Sequence, residues 1–129
     1  MRCNLGLALP IFLFLLQPAV AEQSRWLKIA DNTESTTFLD TKYLSEEGRF
    51  TVVQTIEQLN QISDDNTSKK IIKYQFICRR KLGTIQSVAK IDSNDAIIDY
   101  VINEEPNRLT KVVERSVAGI AYKYACPNS

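Results

Sequence analysis

Histidine is missing from this 129-residue chain. Its absence excludes Ser-His and Cys-His nucleophile pairs and nearly all catalytic zinc sites. A surplus of either charge is missing too: 16 Lys+Arg stand against 15 Asp+Glu, a formal net charge of +1. A dedicated nucleic-acid binder carries a strongly basic balance, so nucleic acid is not an expected partner. Four glycines, four prolines and 24% charged residues exclude collagenous, disordered and coiled-coil classes. Beyond the first 21 residues no segment is apolar enough to span a bilayer. The remaining composition, 44% hydrophobic, suits one globular domain at this length.

The N-terminus reads as an address. Met1-Arg2 gives a positive start, Leu5 to Leu16 is apolar apart from Gly6 and Pro10, and Ala19-Val20-Ala21 forms an A-x-A cleavage pattern. These three parts predict a signal peptide over residues 1–21 and a single domain over 22–129. The rival, a membrane anchor, needs about 20 apolar residues, more than this run supplies. Cys3 precedes the apolar run, so it is not the modified cysteine of a lipoprotein. The expected fate of the chain is export. Cleavage would remove Arg2 and Cys3, leaving balanced charge and two cysteines, Cys78 and Cys126. An even cysteine count in an exported chain predicts a disulfide. Closing a loop of about 49 residues contributes roughly 4 kcal/mol in the chain-entropy model. A pair of free or metal-binding thiols is the alternative, although without histidine a four-ligand zinc site would need carboxylates.

Alternation and turn residues divide the rest into short strands. Expected strands are Arg25–Ala30, Thr36–Asp40, Arg49–Leu59, Lys70–Cys78, Thr84–Ile91 and Ala96–Ile102, with a last short one in Arg108–Val113. Turns are expected at Asp31–Ser35, at Ser45–Gly48 within Thr41–Gly48, and at Ser63–Ser68, Asp92–Asp95 and Glu104–Asn107. A helix competes over Arg49–Leu59, because Val53, Ile56 and Leu59 are three apart, but β-branched Thr51, Val52, Val53 and Thr55 favour a strand. Ile72, Tyr74, Phe76 and Cys78 share one strand face, with Lys73 and Gln75 on the other beside Ile71 and Ile77. At the C-terminus, Ser116 is a candidate N-cap. Val117, Ile120, Ala121, Tyr124 and Ala125 form a helical stripe, weakened by Gly119. Cys126 lies about 180° from Val117 on an ideal helix, so the helix should end near Ala125 if both meet the sheet. One of Tyr122 and Tyr124 is expected at a rim, unless the helix lies edge-on and partly covers both. The fold class is therefore α+β: an antiparallel meander of about six strands packed by one C-terminal helix.

This order of elements resembles the surface-adhesin E domain family, small exported proteins of Gram-negative bacteria. The resemblance rests on Trp26 in W-L-K-I, on Phe38-Leu39-Asp40 followed by Thr41-Lys42-Tyr43-Leu44, on the cysteine strand Tyr74–Arg79, and on the closing helix Ser116–Cys126. It spans nearly all of residues 24–127. The chain departs from the family's pattern at Val52-Val53 and at Val112–Arg115, where the family often carries Trp. The resemblance implies export, one disulfide, a sheet packed by a helix and a non-enzymatic, adhesin-like role toward host matrix or serum proteins. It offers no short binding motif to carry over.

Candidate binding residues come from charge alone. Lys69, Lys70, Lys73, Arg79, Arg80 and Lys81 lie at the two ends of one strand and on its polar side, and suggest an anionic glycan, lipid head group or acidic protein patch, with Arg79-Arg80-Lys81 the first choice. The competing explanation is a solvated strand whose charges discourage edge pairing. The acidic pairs Glu46-Glu47, Asp64-Asp65 and Glu104-Glu105 abut turns and lack the across-cleft placement of catalytic carboxylates. Neither Asp64–Asn66 nor Asp92–Asp95 belongs to a twelve-residue EF-hand loop. Asn66-Thr67-Ser68 is a sequon that matters only in a eukaryotic secretory pathway. The expectation is an exported envelope protein that binds an extracellular or periplasmic ligand, with no catalytic centre and no cofactor. A periplasmic inhibitor, for example of lysozyme, or an accessory envelope protein is the alternative. A long exposed edge strand would also offer pairing with a second copy.

Overall fold

A computed structural model describes residues 25–128. The expected leader and Cys3 lie outside the described residues. The strands are β1 (Trp26–Asp31), β2 (Ser35–Glu47), β3 (Phe50–Leu59), β4 (Lys69–Ile77), β5 (Leu82–Ile91), β6 (Ile97–Ile102) and β7 (Thr110–Lys111), followed by α1 (Val117–Ala125). β1 to β6 lie side by side in chain order and are antiparallel throughout, while the two-residue β7 pairs with the start of β5. The expected α+β meander with one closing helix is the observed fold.

Each junction has a local cause. Asn32 Oδ1 accepts the backbone N–H groups of Glu34 and Ser35 at 2.8 and 2.9 Å, turning β1 into β2. The β2–β3 hairpin turns through Gly48 and Arg49 between paired Glu47 and Phe50, with Gly48 at φ +62°, a conformation glycine adopts without a Cβ penalty. A single 3-10 turn over Cys78–Arg80 and a left-handed Lys81 link β4 to β5. Asp92 Oδ1 accepts the N–H groups of Asn94 and Ala96 at 2.9 and 3.0 Å before β6.

The second strand differs from expectation. Ser45-Glu46-Glu47-Gly48 predicts a turn within Thr41–Gly48, yet β2 runs on to Glu47. Between the pairs Leu39–Thr55 and Leu44–Val53, β2 spends four residues where β3 spends one. That irregularity lets a polar segment stay in the sheet while bending it. The last expected strand, Arg108–Val113, shrinks to Thr110-Lys111 because the preceding loop crosses the sheet face before returning to β5.

One face of the sheet carries Leu39, Val53, Tyr74 and Phe76, and α1 covers it with Ala121, Tyr122 and Ala125. Phe76 sits edge-on to Tyr122 at 5.4 Å and parallel to Tyr74 at 6.1 Å. It lies over Gly83, where any Cβ would strike its ring. Ser116 caps α1, its Oγ accepting the Gly119 N–H at 3.0 Å. The helix ends at Ala125, and Cys126 leaves helical conformation (φ −128°, ψ 63°) so that its sulfur bonds Cys78. The disulfide closes with the two Cα atoms 5.5 Å apart. Neither helix tyrosine is exposed: Tyr122 donates to the Cys78 carbonyl at 2.6 Å and Tyr124 to the Thr41 carbonyl at 2.7 Å. The helix therefore lies edge-on across β1–β4, with both rings at least partly covered.

Candidate functional site

The opposite face has no helix. Cross-strand register sets Phe38, Ile56, Ile71, Ala89 and Tyr100 opposite one another from β2 to β6. In β1 the residue opposite Phe38 is Lys28, and Trp26, opposite Asp40, lies one same-face position along and lines a groove with Phe38. In a pleated sheet, residues directly opposite share a face, so an apolar band runs from Trp26 at one edge to Tyr100 at the other. Its β1 end opens into a groove of about 380 Å³ lined by Trp26, Phe38, Ile56, Gln58 and Lys69.

Polar groups hold the β1 end of this band in place. Arg25 grips Asp40 with two hydrogen bonds of 2.9 Å. Asp40 is fully buried and also accepts from the Lys42 N–H at 3.1 Å and Gln54 Nε2 at 3.4 Å. Hydrogen bonding to Arg25 is the main reason the Asp40 carboxyl stays below its usual pKa, and burial works against it. The same guanidinium lies 4.9 Å from the centre of the Trp26 ring, fixing the indole at the rim. Lys73 stands 5.0 Å from the centre of the Tyr43 ring. At the far end, the loop before β7 folds onto the face, and Gln75 Nε2 donates to the Pro106 carbonyl at 2.6 Å. Gln75, expected on a solvated polar face, is buried there, with its Oε1 accepting from Gln86.

The six basic candidates do not form one cluster. Lys69 and Lys73 share the helix-free face, and Lys69 is paired with Asp95 at 2.7 Å. Lys70 points to the helix side, opposite Glu57 and Lys90. Arg79, Arg80 and Lys81 occupy the turn beside the disulfide. The nine-residue β4 separates that turn from Lys69 by about 30 Å at the usual rise per residue. A second cleft, of about 450 Å³, lies between the start of α1 and β5, floored by Tyr74, Phe76 and Gly83. Among the described residues no group of three or more acidic or cysteine side chains is gathered for a metal ion.

Sequence reading missed the apolar band as a unit. Alternation places Tyr100 with Ile102 and Phe38 with Asp40 within their own strands. Joining them into a band needs the register, which no single strand encodes. In comparison with known proteins, no family model, curated protein or solved structure matches this chain.

Proposed function

We propose that this protein is an exported, non-enzymatic binding module of the surface-adhesin E type, and that its helix-free sheet face engages a protein ligand. The observation that carries this reading is the band from Trp26 to Tyr100, an apolar row left uncovered by α1, the only α-helix among the described residues. Aromatic rings at both ends of a rigid sheet supply contact area at little entropic cost. The disulfide supports an oxidising compartment. Lys69 and Lys73 flank the band and favour a ligand segment with acidic residues beside apolar ones.

The test is solid-phase binding to immobilised matrix and serum proteins. The expected outcome is saturable binding that Trp26→Ser with Phe38→Ser weakens at least about tenfold, or 1.4 kcal/mol. Leu27 is 51% exposed and points to the opposite side of β1. Leu27→Ser should leave binding unchanged, with the fold of each variant checked by circular dichroism. Absence of saturable binding to any of these proteins would overturn the reading. So would binding that sulfated glycan removes and that depends on Arg79, Arg80 and Lys81 instead of the band.

A further inference from the structure

We propose that the end of the molecule around the β4–β5 turn docks on a bilayer surface that carries anionic phospholipid, through a group of cations and the apolar tip Val113. This inference does not depend on the ligand reading above. One backbone hydrogen bond gathers the residues: the Val112 N–H donates to the Lys81 carbonyl at 3.0 Å. Lys111 stands opposite Leu82 where β7 pairs with β5. Arg79 and Arg80 lie in the 3-10 turn just before Lys81, and Arg115 just precedes Ser116, the cap of α1. Arg79, Arg80, Lys81, Lys111 and Arg115 are all exposed. The Cys78–Cys126 bridge ties the turn to the end of α1, which fixes the shape of this platform.

The charge of this group is uncompensated. Elsewhere Arg25, Lys28, Lys69, Lys90 and Arg108 are each held by an acidic side chain. Among the described residues, none of the five cations around the turn is in an ion pair. Glu114, the acid within the group, is tied to Lys123 at 3.6 Å. On the neighbouring β2–β3 hairpin, Glu46 and Glu47 accept hydrogen bonds from Thr51 and Gln86. With all three acids counted, this end stays cationic.

The apolar tip chooses between anionic partners. Val113 is 66% exposed and lies between Lys111 and Arg115 in the chain. Together with Ile85, which is 40% exposed, it borders the cleft floored by Tyr74 and Phe76. A sulfated glycan pairs with cations and has no apolar group to set against Val113 and Ile85. A bilayer surface meets both demands: head-group phosphates face the cations, and the acyl boundary takes the apolar side chain. Lys and Arg stems lie along apolar surface while their charges stay among the head groups. One small apolar contact and one basic patch give reversible attachment that salt weakens. Ile71 of the apolar band lies about 23 Å from Cys78 along β4 at the usual rise per residue. A docked molecule therefore keeps that band clear of the lipid.

Co-sedimentation with vesicles tests the docking, on protein purified after export, with every variant carrying the same N-terminus. The expected result is binding to vesicles of equal parts phosphatidylglycerol and phosphatidylcholine, and none to phosphatidylcholine alone. Arg79→Glu with Arg80→Glu should weaken binding at least about tenfold. Val113→Ser should weaken it at least about threefold. Lys28→Glu with Lys90→Glu changes the net charge equally, on β1 and at the far end of β5, and should leave binding unchanged. Thermal unfolding checks the fold of each variant, and Arg79→Gln with Arg80→Gln replaces the charge reversal if that variant does not fold. Absence of vesicle binding, equal binding to both compositions, or binding that the Arg79 and Arg80 changes leave intact overturns the proposal. A loss through Lys28→Glu with Lys90→Glu as large as through the turn also overturns it, since net charge alone would then explain the binding. Indifference to Val113→Ser overturns it as well, and retention on immobilised sulfated glycan would then name the partner of the cations.

Discussion

Gly119 sits in the first turn of α1, where a Cβ would land on the carbonyl oxygens of Val113 and Glu114. Helix propensity alone predicts that alanine there stabilises by about 1 kcal/mol. The close approach reverses the sign, because backbone oxygens cannot move aside as a flexible side chain can. Gly119→Ala should destabilise the protein by more than about 1 kcal/mol, read from urea unfolding. A second residue-scale expectation concerns Asp40. Its folded pKa is lowered by Arg25, so its contribution is fully present above its unfolded value of about 3.9 and fades as pH falls through the lower folded value. The gap in melting temperature between the natural protein and Asp40→Asn should be flat at neutral pH and shrink below about pH 4. A gap that stays constant down to pH 2 would show that the carboxylate charge is not what Asp40 contributes.

At the scale of elements, α1 has nine residues, short for a helix to be stable alone. Its place depends on Ala121, Tyr122 and Ala125 packing on the sheet, on two tyrosine hydroxyls bonded to backbone carbonyls, and on the covalent tie to β4. Replacing both Cys78 and Cys126 by alanine should lower stability by about 4 kcal/mol, the loop-closure value. The loss should speed exchange of the α1 amides more than those of β3 and β4 if the helix detaches first, which hydrogen exchange by NMR reads directly. Equal loss across helix and sheet would mean that helix and sheet unfold as one unit.

For the whole molecule, one sheet serves two purposes on its two faces. The helix side holds the core, and the other side keeps an apolar band that ends at the unpaired edge β6. Trp26→Ser with Phe38→Ser should therefore weaken ligand binding and leave the helix-side core folded, read by circular dichroism.

The strands, the turns at Asn32, Gly48 and Asp92, the Ser116 cap, the helix end at Ala125 and the Cys78–Cys126 bridge were legible in order, because each depends on neighbours in the chain. Alternation, capping and glycine conformation are local physics. The extension of β2 past Asp40 was not legible, since a bulge accommodates the polar residues only once β3 is alongside. The placing of the basic residues at two ends of one strand was legible, but not all lie on one polar side: Lys70 turns to the helix face. The band from Trp26 to Tyr100 draws a residue from each of six strands, and nothing within one strand states which residue of the next will stand beside it. Sequence therefore determined which pieces this protein is made of and where the chain is tied. Tertiary structure alone decided which side chains share a surface, because cross-strand register is set by the packing of the whole sheet against one short helix.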